Sequence, residues 1–384
     1  MKRFLFLLAL LCIACSVTAV PAATPMTPTL AQPSQTLPPA PTALPPAAAT
    51  LAPATALAPA TASALPPVIN AQNAGGLAKM ADINSPSLRK VVFSPDGKVF
   101  ATGSGNEVDF GIEIWQSQGG AALQSMTDFS GIVWDLAFSP DGKWIASAAD
   151  DKNNQPVRVW NAADGSPVTA LDEPQTLFHD RHVASSVAFS PDGARLAVGW
   201  PTGNIRIYDT ANWAQVHELQ APGQNVTALV YNPDGSQLIS GGTDGRLRVW
   251  ALAQGTGVDH MSPGKQANRL ALSPDGTLLA SIFCSANNGG GCSKGGVAIW
   301  RTSDWTLLQK FDDIAESVAF SADGSLLVSG SGANDPQIRI RRVGDWSLVK
   351  SLPEEAYSVA FSPDDRLLVT TDLDKISMWG LGGQ

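Results

Sequence analysis

The stretch Phe93-Ser-Pro-Asp-Gly97 is the first of seven closely related copies along this chain. A Ser or Asn stands at positions 94, 139, 190, 232, 273, 321 and 362, so the copies lie 41 to 51 residues apart. Pro presets φ, Asp bonds its own backbone and Gly accepts a positive φ, which together predict a tight turn. The sixth copy has Ala322 in place of Pro, and the seventh has Asp365 in place of Gly. A period in the forties, repeated this often, indicates a closed array of small β-sheets.

Apolar runs lie on both sides of each turn, as in Val187-Ala-Phe189 and Leu196-Ala-Val198. A strand, a tight turn and a second strand predict a hairpin. A third run alternates between apolar and polar residues, as in Leu247-Arg-Val-Trp250, and a weaker fourth run follows, as in Leu307–Phe311. Each repeat therefore predicts four antiparallel strands.

Seven repeats of this kind, from about Gly75 to Trp379, resemble a seven-bladed WD-repeat β-propeller. The repeat most similar to the family pattern runs from Leu238 to Trp250 and has a small-residue strand, a turn aspartate and a closing tryptophan. The resemblance implies an all-β fold of seven four-stranded antiparallel blades. The last repeat stops after its third strand, so we expect Leu77–Met80 to supply the missing outer strand and close the ring.

The N-terminal segment is typical of an exported protein. Residues 1–15 combine a basic start with a short apolar run and end in Cys12-Ile-Ala-Cys15, which resembles a bacterial lipoprotein box and predicts lipidation of Cys15. Ordinary signal cleavage near Ala19 or Ala22 is the alternative. Residues 16–74 are rich in Pro, Ala and Thr and predict a disordered tether, followed by the propeller over 75–384. We therefore expect a membrane-anchored lipoprotein of the cell envelope, or else a secreted or periplasmic protein.

Charge and cysteine content narrow the classes of partner. The formal net charge of −9 argues against nucleic acid. Outside the signal, Cys284 and Cys292 form an isolated pair around a glycine-rich loop, which predicts a disulfide in an exported protein. A metal site at this pair would lack further Cys or nearby His ligands.

Loop variation predicts where a partner would bind. The Ser-Pro-Asp-Gly turns repeat on one face of the ring, whereas the loops between the second and third strands and the links between blades vary on the other, which we name the loop-bearing face. The residue four before each turn's aromatic begins the innermost strand, and we name these seven the rim positions: Arg89, Trp134, Ser185, Thr227, Asn268, Glu316 and Tyr357. Trp134, Tyr357, Arg89 and Glu316 have the composition of a binding hot spot, although the two aromatics would equally fill gaps between blades.

Further candidate contacts with a partner lie in two loops. One is Trp200, in the Gly199-Trp-Pro-Thr-Gly loop. The other is the longest link between blades, over 172–183, which contains Phe178, His179, Arg181 and His182.

Enzymatic functions have little support in the sequence. No nucleophile elbow, phosphate loop or nucleotide fingerprint occurs, so we expect neither a catalytic residue nor a cofactor. His179 and His182 could assemble metal ligands, but no spacing here is specific to a metal site, and a solvated polar loop is favoured. The sequence therefore predicts a scaffold, envelope-anchored or secreted, that binds a protein or peptide. The alternatives are a propeller enzyme of hydrolase or lyase type acting through Glu316 and Asp135 at the channel mouth, and a structural subunit of an envelope complex.

Overall fold

Seven antiparallel sheets account for nearly all of the regular structure in the computed structural model, which describes residues 65–105, 110–127, 131–151, 155–171, 182–221, 225–287 and 292–382. The predicted all-β, seven-bladed propeller is confirmed. The single exception to β-structure among the assigned elements is a 3₁₀ turn over Ala74–Gly76. No helix in the described part of the chain is long and apolar enough to cross a membrane.

Each blade is a meander whose strands follow one another from the channel outwards. Blade 1 contains β2 (Leu88–Phe93), β3 (Val99–Gly105), β4 (Phe110–Gln116) and β5 (Ala122–Met126). Blade 2 contains β6 (Val133–Phe138), β7 (Trp144–Asp151), β8 (Val157–Asn161) and β9 (Pro167–Leu171), and the short β10 (His182–Val183) pairs with the end of β7. Blade 3 contains β11 (Ser186–Phe189), β12 (Arg195–Gly199), β13 (Asn204–Asp209) and β14 (Gln215–Gln220).

The remaining blades follow the same plan. Blade 4 contains β15 (Val226–Tyr231), β16 (Gln237–Gly242), β17 (Arg246–Ala251) and β18 (Thr256–Met261). Blade 5 contains β19 (Gln266–Leu272), β20 (Leu278–Asn287), β21 (Cys292–Arg301) and β22 (Thr306–Phe311). Blade 6 contains β23 (Ser317–Phe320), β24 (Leu326–Gly330), β25 (Ile338–Arg342) and β26 (Leu348–Leu352). Blade 7 contains β27 (Ser358–Phe361), β28 (Leu368–Thr371), β29 (Lys375–Leu381) and, as its outer strand, β1 (Leu77–Asn84).

Ring closure occurs through the N-terminal strand, as predicted. β1 pairs with β29 from Leu77 opposite Leu381 to Asn84 opposite Lys375, so the pairing extends four residues beyond the predicted Leu77–Met80. The third strand of the last blade is therefore covered along its length, which removes an exposed sheet edge.

The hydrophobic core is divided among the seams between blades. At each of the seven seams, buried apolar side chains from two neighbouring blades form one cluster; at the seam of blades 7 and 1, for example, Phe100 and Trp115 pack with Val369 and Met378. The second strands, such as β12, are sandwiched between neighbouring blades and read as nearly continuous apolar runs, whereas outer strands such as β14 are mostly exposed.

Tryptophans that close the third strands are held by hydroxyl groups of the second strands. The indole N–H of Trp115, Trp250, Trp300 and Trp379 donates to Thr102, Ser240, Ser281 and Thr370 at 2.9, 2.9, 2.9 and 3.0 Å. Blade 6 has Arg341 at this position. Its guanidinium lies 4.2 Å from the centre of the Phe311 ring and pairs with Asp313, so a stacked cation takes the place of the indole.

The residues before β1 correct one expectation from the sequence. We name residues 65–76 the N-terminal arm; within it Ile69 and Ala74 are completely buried at the seam of blades 6 and 7. The Ile69 N–H donates to the Asp365 carbonyl at 2.6 Å, and Arg342 donates to the Ala71 carbonyl at 3.3 Å. The expectation of a disordered tether through residue 74 was therefore wrong for residues 65–74, since an apolar anchor interrupts the Pro- and Ala-rich sequence. Residues 1–64, with the predicted signal and Cys15, lie outside the described residues.

Candidate functional site

A cavity of about 370 Å³ opens where the innermost strands of five blades begin, at one end of the central channel. We name it the channel-mouth cavity. Its described lining combines one indole, one guanidinium, two carboxylates and several amides and hydroxyls, from Trp134, Asp150, Val183, Ser185, Asn225, Thr227, Asn268, Arg269 and Glu316. The strand starts that carry these residues follow the links between blades, which places the cavity on the loop-bearing face.

Five of the seven rim positions meet in this cavity. Trp134, Ser185, Thr227, Asn268 and Glu316 line it, as the meander topology predicts for equivalent positions of consecutive blades. Arg89 and Tyr357 are not among its described lining residues. The proposed cluster of both aromatics with Arg89 and Glu316 is therefore brought together only in part.

Tyr357 is engaged by blade 6. A methyl group added at Gly332 would lie 2.6 Å from its ring, so the ring covers that glycine closely. Its hydroxyl accepts a hydrogen bond from the Ala333 N–H at 3.4 Å. The side chain thus fills the space between the β24–β25 loop and blade 7.

Glu316 presents a partly buried carboxyl to the cavity. Burial raises the pKa of this group above its ordinary value, while a hydrogen bond from the Cys292 N–H and the charge of Arg269 oppose the rise. The carbonyl of the same Cys292 accepts a hydrogen bond from the Asn334 side chain at 3.2 Å. Two groups of blade 6 are therefore held by one residue of blade 5.

That residue is fixed by a covalent bond. Cys284 and Cys292 form the predicted disulfide, with 5.7 Å between their Cα atoms. The bond joins β20 to β21 at the far end of the blade 5 hairpin. The disulfide therefore borders the candidate site, which the sequence alone did not indicate.

Asp135, the second acid considered for catalysis, holds three consecutive blades together. Its carboxylate lies 2.8 Å from the Lys90 ammonium and accepts hydrogen bonds from the Ser186 hydroxyl at 2.9 Å and the Val187 N–H at 3.1 Å. Burial opposes its ionisation, but the charges of Lys90 and Arg269 and the hydrogen bonds hold the pKa of this carboxyl below its ordinary value. A carboxylate bound in this way is a structural anion and is poorly suited to proton transfer.

Hydroxyl groups in the lining use their hydrogens within the protein. The Thr227 hydroxyl donates to the Ala267 carbonyl at 2.5 Å, and the Ser185 hydroxyl donates to the Asn225 side-chain oxygen at 2.9 Å. Each of these hydroxyls is thereby left with oxygen lone pairs for a ligand. Towards a ligand these two hydroxyls can therefore act only as acceptors.

Trp200 was wrongly predicted as a contact residue. It is 1% exposed and packs within the cluster at the seam of blades 2 and 3, where the Gly-Trp-Pro-Thr-Gly loop folds its indole inwards. In the second loop, His182 begins β10 and pairs through its backbone with Asp151. Phe178, His179 and Arg181 lie outside the described residues.

Three lining residues, Asp150, Asn225 and Arg269, were missed by the sequence analysis, whereas Val183 is the last residue of the link over 172–183 that it named. Asp150, Val183, Asn225 and Arg269 lie beside the rim positions in space, because the end of a second strand and the last residues of a link meet there. Arg269 directly follows a rim position and could have been found by considering two residues in each blade. In the described part of the chain, no group of three or more His, Cys, Asp or Glu side chains is arranged to hold a metal ion.

A comparison with protein families identifies four of the repeats. The model of the WD domain, G-beta repeat (WD40), matches residues 121–153, 213–251, 306–341 and 346–379. The last three matches begin near an outer strand and end in the third strand of the next blade, the same offset by which β1 completes blade 7. None of the curated proteins compared with the chain matches it.

Proposed function

Because the chain is a seven-bladed β-propeller that carries WD40 repeats, we propose that it is a scaffold that binds a protein or peptide partner on its loop-bearing face. One observation carries the proposal: the channel-mouth cavity gathers an indole, carboxylates and amides from five blades on that face. An aromatic side chain beside a concave polar site is the usual anchor of a protein interface. The opposite face repeats one turn seven times and offers less to distinguish partners.

The proposed surface is tested by comparing its aromatic residue with an exposed apolar residue elsewhere on the propeller. Proteins captured from a membrane fraction of the source organism on the immobilised chain would be identified and purified, and their affinities measured. Trp134→Ala is expected to cost about 2 kcal/mol of binding free energy. Leu348→Ala is the control, since Leu348 is 53% exposed on the outer strand of blade 6. Equal losses for the two variants, or no loss for either, would place the partner elsewhere.

We also propose that the scaffold is non-catalytic. This is supported by the engagement of Asp135, which leaves Glu316 without that second acid to act on a substrate. Turnover of a glycoside or lactone by the purified chain, abolished by Glu316→Gln, would favour the enzyme instead.

Export with a lipid anchor at Cys15 completes the proposal. Its support is the basic and apolar start of the chain, the Cys12-Ile-Ala-Cys15 sequence, and the disulfide. Disulfides form and persist mainly in oxidising compartments outside the cytosol. The mature N-terminus decides the matter by mass spectrometry. A diacylated Cys15 is expected; a mature chain beginning near Val20 or Ala23 would indicate a secreted or periplasmic protein without an anchor.

A further inference from the structure

Positive charge is scarce around Glu316 at the channel-mouth cavity. Arg269 contributes the one cation of the described lining. Its charge acts on both Glu316 and Asp135, so this cation is shared between two acids. Asp135 has Lys90 as a further partner at 2.8 Å, whereas Glu316 forms no salt bridge with any described residue. The carboxylate of Glu316 is therefore only partly compensated by its surroundings.

Two hydroxyls and the indole of the lining also suit a positive ligand. Thr227 and Ser185 direct their hydroxyl hydrogens to the Ala267 carbonyl and to Asn225, which leaves oxygen lone pairs for a ligand. Trp134 is partly exposed, and no cation of the described chain lies over its ring. An indole face of this kind attracts a positive group, most strongly where water is partly excluded.

Of the groups in the lining, the Glu316 carboxylate would be stabilised most by a bound cation. Its carboxyl is partly buried, and its one hydrogen bond from the described protein comes from the Cys292 N–H. Removing a carboxylate from water is unfavourable unless an opposite charge is brought close to it. The volume of about 370 Å³ is at the small end of the range of about 300–1,000 Å³ typical of ligand sites, which suits one long side chain better than a folded element.

Resting on the proposed function, we propose that the channel-mouth cavity receives a lysine or arginine side chain of the bound partner. The ammonium or guanidinium group lies near Glu316 and the face of Trp134, and the methylenes follow the walls of the cavity. The partner is thus a protein segment that presents a basic residue at its tip.

Small probes test the cavity without knowledge of the partner. Nα-acetyl-lysine methylamide is titrated onto the intact chain and followed by saturation-transfer NMR, beside its Nε-acetylated form and Nα-acetyl-glutamate methylamide. The lysine probe is expected to bind at least about tenfold more tightly than either of the others, because only it brings a cation to the carboxylate. The same titrations are repeated on three variants, each first shown by circular dichroism to fold.

The proposal predicts that two of the variants change the affinity for the lysine probe in opposite directions. Glu316→Gln is expected to weaken the lysine probe at least about tenfold, and Arg269→Gln to strengthen it severalfold. Glu355→Gln, an equal loss of charge in the link between blades 6 and 7 and outside the described lining, is expected to change nothing. Binding of the lysine probe that survives Glu316→Gln, preference for the glutamate probe, or no measurable binding would each overturn the proposal. A purified partner that binds the wild type and Glu316→Gln equally, but not Trp134→Ala, would overturn it while leaving the scaffold function intact.

Discussion

The carboxylate of Asp365 accepts hydrogen bonds from the backbone N–H groups of Ala322, at 2.7 Å, and Asp323, at 2.8 Å. Both Ala322 and Asp365 stand at positions where their turns depart from the repeated sequence. Between other blades the same two positions hold Pro and Gly: a methyl group added at Gly142 would lie 3.7 Å from Cδ of Pro95. Proline has no N–H to donate. The two departures are therefore one coupled exchange, in which a Pro–Gly contact is replaced by a hydrogen-bonded Ala–Asp pair.

The coupling predicts non-additive mutations. Ala322→Pro removes one donor from a buried carboxylate and is expected to destabilise the fold by about 1–3 kcal/mol. Asp365→Gly removes the acceptor. The double variant recreates the Pro–Gly contact of the other seams. Its loss of unfolding free energy should be smaller than the sum of the two single losses by about 0.5–3 kcal/mol. Urea unfolding of the four proteins measures this coupling, and strict additivity would show that the two residues are independent.

Acid should destabilise the propeller through its turn aspartates. Hydrogen bonds from Lys98 and from the Ser94 hydroxyl hold the pKa of Asp96 at about 2. Similar hydrogen bonds lower the pKa of the turn aspartates Asp141, Asp192, Asp234 and Asp275. A lowered folded pKa favours the fold above the unfolded value of about 3.9, and that contribution is lost as pH falls through the folded value. Thermal unfolding temperatures should therefore decrease steeply between about pH 4 and pH 2. The pair Asp141→Asn and Asp192→Asn should flatten this dependence; an unchanged profile would assign acid sensitivity to other groups.

The N-terminal arm should matter for stability although its composition resembles a linker. Ile69 is fully buried against blades 6 and 7, so Ile69→Ala is expected to cost about 2–5 kcal/mol. Val68→Ala is the matched control, because Val68, which directly precedes Ile69, is 41% exposed and should tolerate truncation. Chemical denaturation compares the two. Equal midpoints would mean that the arm contributes nothing to the ring.

Sequence patterns that recur in every repeat were predicted correctly, whereas features that occur only once in the chain were missed. Seven turn phrases and alternating strands were enough for the fold and for the closing strand, because each signal recurs from one repeat to the next. The anchor at Ile69 was missed because a single apolar residue within a Pro- and Ala-rich stretch carries no periodic signal. Trp200 was misplaced for a related reason: a Gly-Trp-Pro sequence is typical of an exposed loop, and only the packing of blade 2 on blade 3 buries the indole. Five cavity residues were found because equivalent strand starts converge, whereas Arg269 and Asp150 depend on side-chain directions across a seam.

Loss of the disulfide should alter the residues at the channel mouth. Cys292 holds Glu316 through its N–H and Asn334 through its carbonyl. The double variant Cys284→Ser and Cys292→Ser should leave the ring folded, at a cost of up to about 2–3 kcal/mol by loop entropy, and should further raise the pKa of Glu316 by loosening its hydrogen bond. Hydrogen exchange should accelerate at 292–296 and 332–337 and remain unchanged in blade 2. Reductant added to the variant is the control, and unaltered exchange at both segments would refute the connection.

Trp134 and Tyr357 occupy equivalent strand positions but should respond differently to truncation. Trp134 lines the cavity, so Trp134→Ala should reduce partner affinity while changing the unfolding free energy little. Tyr357 covers Gly332 and accepts a hydrogen bond from Ala333, so Tyr357→Ala should destabilise the fold by about 1–3 kcal/mol and affect binding mainly through the folded fraction. Tyr357→Phe keeps the ring and should recover most of that stability, which separates packing from the hydrogen bond. Denaturation and partner titration of the three variants measure both quantities. A stability loss at Trp134 with full affinity, or an affinity loss at Tyr357 with full stability, would exchange the assigned roles.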